Sequence, residues 1–160
     1  MSALVAAPPL TALPVEHLVD LAVDLEPAQV IPTPRGTRTT LVVRGGTFSG
    51  PGLRGEVLPG GGDWLLLGSD GVAVVDVRAT LRTDEGELIH LEAGGLGDVP
   101  PEELARLAAG ARVAWDAAYI RTTPRFATGS ERLAWLNRVV AVAYNELAPD
   151  HVDYRVYRVR

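Results

Sequence analysis

Between Arg44 and Gly71 the chain places glycine at 45, 46, 50, 52, 55, 60–62, 68 and 71, and proline at 51 and 59. Glycine at this density serves turns with positive φ, sharp bends and close backbone approach. The residues it encloses are core formers: Phe48, Leu53, Val57, Leu58, Trp64 and Leu65–Leu67. The stretch therefore reads as short strands between tight turns. It is not a nucleotide loop. A P-loop needs Gly-x4-Gly-Lys-Ser/Thr, and the chain contains no lysine. A dinucleotide fingerprint opens a helix, whereas Gly60–Gly62 leads into Asp63-Trp64-Leu65, which reads as a strand.

The flanking sequence extends the all-β pattern. In 17–25 Val19, Leu21, Val23 and Leu25 share one face, with Asp20 and Asp24 opposite. Pro27, Pro32 and Pro34 mark a long connection before a strand at 37–44, and short strands are expected near 53–58 and 63–67. Residues 72–82 alternate most clearly: Ala73, Val75, Val77, Ala79 and Leu81 on one face, Asp76 and Arg78 on the other. Thr83–Gly86 makes a hairpin loop into a return strand at 87–93. Pro100–Leu107 is the one convincing helix, with proline in its first turn and Gly110 as its stop. Strands at 111–122, 135–145 and 151–159 follow, with a turn at Pro124 and a helical turn near 129–134. The total is roughly eight to ten strands with hairpin-length connections. A single antiparallel up-and-down barrel with one or two short helices fits best, and a sandwich is the alternative.

At 160 residues the chain suits one domain, with residues 1–16 an extended N-terminal segment and 17–160 the barrel. The net charge of −5 and the lack of a basic patch argue against nucleic acid as a partner. No apolar run reaches the ~18 residues of a membrane span. Residues 1–14, broken by Pro8, Pro9 and Pro14, make a poor signal peptide. With no cysteine the chain has no thiolate chemistry and agrees with a reducing compartment, so a cytoplasmic location is expected. His17, His90 and His151 lie far apart and form no ligand spacing, so no metal is expected; no serine sits in Gly-x-Ser-x-Gly.

Several runs resemble a largely uncharacterised family, protein family 0311 or domain of unknown function 3237. They are Gly45-Gly46-Thr47-Phe48, Val57-Leu58-Pro59-Gly60-Gly61, Asp63-Trp64, Asp76-Val77-Arg78, Thr83-Asp84, Tyr119-Ile120-Arg121-Thr122, Trp135-Leu136-Asn137 and Tyr154-Arg155-Val156-Tyr157. The resemblance implies a calycin-like barrel with an internal cavity. It also implies chemistry without metal or nucleotide, of the kind performed by hydroxylamine lyases on aromatic acids or by tailoring enzymes of secondary metabolism.

Candidate site residues follow from both readings. Asp63 suits a general base if apolar neighbours raise its pKa; its other role is a turn residue satisfying backbone amides. Trp64 is either a core plug or part of a ligand wall. Asp76 and Arg78 share a face, and the plain reading is an exposed ion pair. The resemblance turns Arg78 inward to hold a carboxylate or enolate oxygen. His90, mid-strand, departs from the aromatic that the resemblance suggests and is a candidate proton carrier. Tyr119 as acid or donor, with Arg121, Trp135 and Asn137 as binding groups, rests on the resemblance. The expected function is a cofactor-independent lyase, isomerase or cyclase acting on an aromatic or conjugated carbonyl compound inside the barrel. The alternative is a non-catalytic carrier or sensor of small hydrophobic molecules. The alternating tail 154–160 offers an edge through which two copies could pair.

Overall fold

The computed structural model describes residues 8–160; the part of the expected N-terminal segment that covers residues 1–7 lies outside the described residues. Residues 8–14 carry no strand or helix. Ten strands follow: β1 Val15–Leu25, β2 Gln29–Thr33, β3 Gly36–Gly50, β4 Leu53–Val57, β5 Gly62–Leu67, β6 Val72–Thr83, β7 Leu88–Asp98, β8 Tyr119–Ala127, β9 Ala141–Ala148 and β10 His151–Val159. One α-helix, α1 Pro101–Ala108, and a 3-10 turn, Ala134–Arg138, complete the elements.

All pairings are antiparallel, and β1 pairs with both β10 and β3, which closes the sheet. β4 and β5 occupy one strand position, since both lie between β3 and β6. With β2 an added hairpin arm on β3, the closed barrel has eight strands. Closure depends on glycine at close approach. β3 bonds β5 through residues 37–42 and then β1 through residues 43–49. At the changeover Gly46 has φ 147°, and a Cβ there would lie 2.2 Å from the Ala22 carbonyl oxygen. Only a residue without a side chain lets β1 lie against β3 here. Gly95 does the same between β7 and β8, where a Cβ would lie 2.1 Å from the Arg121 carbonyl oxygen.

The interior has two halves. One end is packed solid by Phe48, Leu81, Ile89, Phe126, Leu133 and Leu136, all buried. The 3-10 turn supplies Leu136 as its plug. The other half is lined by smaller residues, among them Gly62, Ala73, Ala79, Ala93 and Gly97, and stays hollow. Leu107 of α1 lines the hollow and packs with Val113, Ala118 and Ile120, so the helix lies over that end.

The structure departs from the sequence reading in five places. β2 forms inside the expected connection, as an edge strand that bonds only β3 and so tolerates Pro32. Residues 109–118 form a loop held by one bridge, Val113 with Leu147, and the strand expected at 111–122 is instead β8. β8 runs through Pro124, beyond the point where its pairing with β9 ends at Thr122, so a residue lacking an N–H is accommodated. The run from Trp135 splits into the 3-10 turn and β9. Finally, β10 is bonded on both sides, by β1 and β9, so the tail has no free edge for a second copy.

Candidate functional site

Asp63 and Trp64 are consecutive in β5, so their side chains leave opposite faces of the sheet. Asp63 lines the cavity; Trp64 lies outside and is 41% exposed, neither core plug nor cavity wall. The cavity measures about 280 Å³ and its walls are almost wholly aliphatic. In those surroundings desolvation raises the Asp63 carboxyl from 3.8 to about 6, against the lowering effect of a hydrogen bond from the Asp76 backbone N–H. The Asp76 charge adds to the rise.

Three further polar groups reach the cavity, from strands β9 and β10. Tyr154 of β10 points inward between Val152 and Val156 and pairs with Asn145 of β9 on one side and Leu21 of β1 on the other. Burial holds its phenol well above the ordinary tyrosine value, and the Asp63 charge adds to that, so the hydroxyl keeps its proton. Asn145 is 5% exposed, and its Oδ1 has no hydrogen-bond partner. His151 lines the cavity, with its ring nitrogens 2.8 Å from Asp24 and 2.8 Å from Asp153. Burial pulls its pKa down, but the bonds to Asp153 and Asp24 outweigh this and hold it above the ordinary value.

The other expected residues are outside. Asp76 and Arg78 form a 2.9 Å ion pair on the outer face of β6, each half exposed, so Arg78 does not point inward. The alternation of β6 sends Val75, Val77 and Ala79 into the barrel and leaves the charged pair in water. His90 lies on the outer face of β7, 3.3 Å from Glu92. Tyr119 is exposed at the start of β8 with the Arg121 guanidinium 4.9 Å over its ring. Arg121 also donates to the Ile120 carbonyl. Trp135 is on the surface of the 3-10 turn, and Asn137 pins the neighbouring loop by accepting from the Thr128 N–H at 2.8 Å and donating to its carbonyl at 2.9 Å. Of the nine candidate site residues taken from the sequence, Asp63 alone lines the cavity. Among the described residues no three His, Asp or Glu side chains are grouped to hold a metal ion.

The sequence reading passed over Tyr154 and Asn145 as site residues, although a signal was present. In Val152-Asp153-Tyr154-Arg155-Val156 the tyrosine sits on the aliphatic face, and Ala141, Ala143, Asn145 and Leu147 place one amide on an otherwise apolar face.

Comparison with known proteins agrees with this barrel. The family described as "Protein of unknown function (DUF3237)" matches residues 13–159. The chain belongs to the DUF3237 family. Curated relatives include UPF0311 proteins of Clostridium acetobutylicum, 32% identical over 78% of each chain, and of Rhodopseudomonas palustris, 31% identical over 78% of this chain and 81% of the relative. Among solved structures, a beta-barrel like protein from Acinetobacter baumannii superposes with a TM-score of 0.78 at 33% identity, over 97% of this chain and 99% of the other. The DUF3237 barrel also superposes on an enzyme from Penicillium herquei, with a TM-score of 0.70 at 19% identity over 96% and 99% of the two chains. That likeness is one of fold. The family itself is of unknown function.

Proposed function

We propose that this DUF3237 barrel is a cofactor-independent acid–base enzyme acting on a small aromatic or conjugated carbonyl compound held in its cavity. The observation that carries the reading is Asp63: a carboxyl in an aliphatic cavity, raised to about 6 and bonded only to a backbone N–H. A base is most effective when its pKa lies near the working pH, and burial tunes carboxylates into that range. An apolar cavity of about 150 Å³ accepts benzene. One of about 280 Å³ has room for one or two rings.

The chemistry follows from the two walls. The Asp63 carboxylate takes a proton from carbon next to the ligand carbonyl, and the electron pair moves into an enolate. The neutral Tyr154 hydroxyl donates to the oxygen on which that charge develops. Asp63, now a carboxylic acid, returns the proton to another carbon in an isomerisation or to a leaving group in an elimination. A carrier would use the apolar walls equally well, but it gains nothing from an ionised carboxylate whose burial is costly.

Proton exchange with solvent tests this without a known substrate. 2-Tetralone, a two-ring ketone with exchangeable protons beside its carbonyl, is incubated in D2O and followed by NMR. Native protein is expected to accelerate exchange with a pH dependence centred near 6. Asp63→Asn should lose at least ~100-fold of that rate, the usual scale for a general base, and Tyr154→Phe roughly tenfold or more. Binding of 2-tetralone without acceleration would identify a carrier, and the enzyme reading would fall.

A further inference from the structure

The cavity wall holds a carboxylate without a counter-ion. Asp63 Oδ1 takes the Asp76 backbone N–H, and among the described residues Oδ2 has no hydrogen-bond or ion-pair partner. Oδ2 is not sealed in packed protein, as Thr122 Oγ1 and Asn145 Oδ1 are; it keeps accessible surface on a residue that lines the hollow. No arginine lines the cavity and the chain has no lysine. The one basic side chain in the wall, His151, is already shared between Asp24 and Asp153 at 2.8 Å each. Arg112 and Glu146 extend that cluster, which sets His151 and Arg112 against Asp24, Asp153 and Glu146 and is acidic on balance. The remaining groups near Asp63 add no cation to the hollow. Asp76 of β6 is paired with Arg78 on the outer face, and Tyr154 of β10 keeps its proton.

A carboxylate alone among aliphatic walls is costly, and a cation brought against it recovers part of that cost. The attraction is strongest where the surroundings are apolar. An entering ammonium loses its own hydration, so the net gain is a fraction of the Coulomb energy. An uncharged ligand leaves the Asp63 charge uncompensated; a cationic one supplies what the wall lacks. We infer that the cavity binds a protonated amine carried on an apolar body, with the ammonium paired to Asp63 Oδ2 and the body filling the aliphatic hollow. Such an amine takes the place of the carbonyl compound and keeps the base engaged, so it regulates the chemistry as an inhibitor. The inference rests on the cavity being the ligand site, as proposed above, but it concerns binding and does not require turnover.

The test is calorimetric titration at pH 7.5 and pH 5.0 with three two-ring probes. They are 2-(aminomethyl)naphthalene, a cation at both values, its uncharged isostere 2-(hydroxymethyl)naphthalene, and 2-naphthol. Native protein at pH 7.5 is expected to bind the amine at least ~10-fold more tightly than the alcohol, with 2-naphthol close to the alcohol. Asp63 loses its charge as pH falls through about 6, so the amine-to-alcohol ratio should drop roughly tenfold by pH 5.0. Asp63→Asn should bring the ratio to one or below at both values. A native ratio near one at pH 7.5, a ratio that survives Asp63→Asn, or failure of the amine to bind overturns the inference. So does 2-naphthol binding as tightly as the amine, which would make a hydroxyl donor sufficient. A pH dependence that remains in Asp63→Asn would assign the effect to His151 and overturns it too. If Asp63→Asn does not fold, the pH comparison in native protein decides alone. The 2-tetralone assay separates the two readings: if both hold, the amine slows exchange competitively. Absence of exchange with the amine preference intact would remove the proposed chemistry and leave this inference standing. Exchange that the amine does not slow, with a ratio near one, would do the reverse.

Discussion

Asp63 Oδ1 accepts the backbone N–H of Asp76 at 2.9 Å, across a stretch where the β5–β6 pairing is interrupted between Asp63 with Val77 and Leu66 with Val74. A side chain thus stands in for a rung of the ladder. The carboxylate is anchored by one oxygen to the sheet while the residue faces the cavity. Anchoring to main chain rather than to a cation lets the charge remain unneutralised, which is why burial dominates its pKa.

That anchoring makes Asp63→Asn a stabilising change whose size depends on pH. An amide oxygen can accept the same N–H, and the buried charge disappears. The folded-state pKa of Asp63, about 6, lies above its ordinary 3.8, so the folded state binds the proton more tightly than the unfolded chain. The destabilisation is therefore fully present above pH 6 and is lost as pH falls toward 3.8. Shifting a carboxyl over that range corresponds to roughly 3 kcal/mol. Urea denaturation should show Asp63→Asn more stable than native protein by about 2–3 kcal/mol at pH 8, with the gap mostly closed at pH 3.5. A gap that does not change with pH would mean that the carboxylate carries no buried charge.

Arg78→Ala should be nearly silent. Its partner Asp76 is half exposed, as Arg78 is, and pairs of that kind contribute about 0–1 kcal/mol. Thermal stability, 2-naphthol affinity and 2-tetralone exchange are all expected to stay within about twofold or 1 kcal/mol of native. A tenfold loss of affinity would show that Arg78 reaches a ligand after all.

The contrast between Arg78 and Asp63 shows what the sequence could tell. The two faces of β6 were legible from alternation alone, as were the Thr83–Gly86 hairpin with Gly86 at φ 86°, and α1 between its proline and Gly110. Which face points inward was not, because valines accompany both: Val74 lies beside Asp76 yet is 49% exposed. Naming both Asp63 and Trp64 asked two neighbours on one strand to face the same way, which parity forbids. Tyr119, Trp135 and Asn137 are polar or aromatic residues in structural or surface roles that a family pattern does not distinguish from site roles. The hollow itself depends on small residues from different strands meeting in space, and no local pattern reports that.

Gly46→Ala should damage the barrel at its closure. The added methyl would meet the Ala22 carbonyl oxygen at 2.2 Å, and φ 147° is unfavourable for any residue with a Cβ. Strain and overpacking of this kind cost roughly 1–3 kcal/mol each. Gly52→Ala is the control for conformational strain alone, since its φ is 75° but nothing lies within 4 Å of the new Cβ. Denaturation midpoints should fall clearly further for Gly46→Ala than for Gly52→Ala. Equal losses would mean that backbone conformation, not the approach of β1, sets the requirement for glycine.

Ala93→Phe tests whether the hollow half is truly spare volume. Ala93 lines the cavity from β7, facing space that the aliphatic wall leaves unfilled. A phenyl ring there buries apolar surface without displacing packed atoms, so stability should hold or rise by about 1 kcal/mol, while 2-naphthol affinity falls at least ~10-fold because the same volume is taken. Ala141→Phe is the counterpart: Ala141 is just as buried, at 2% exposed, but does not line the cavity. Overpacking a filled interior costs about 1–3 kcal/mol or more, so Ala141→Phe should lower the denaturation midpoint. The two substitutions add the same side chain, so opposite signs would locate the empty space in the half of the barrel that contains Asp63. Equal destabilisation would show that the hollow is not available to a ring of ligand size, and the binding predictions above would lose their basis.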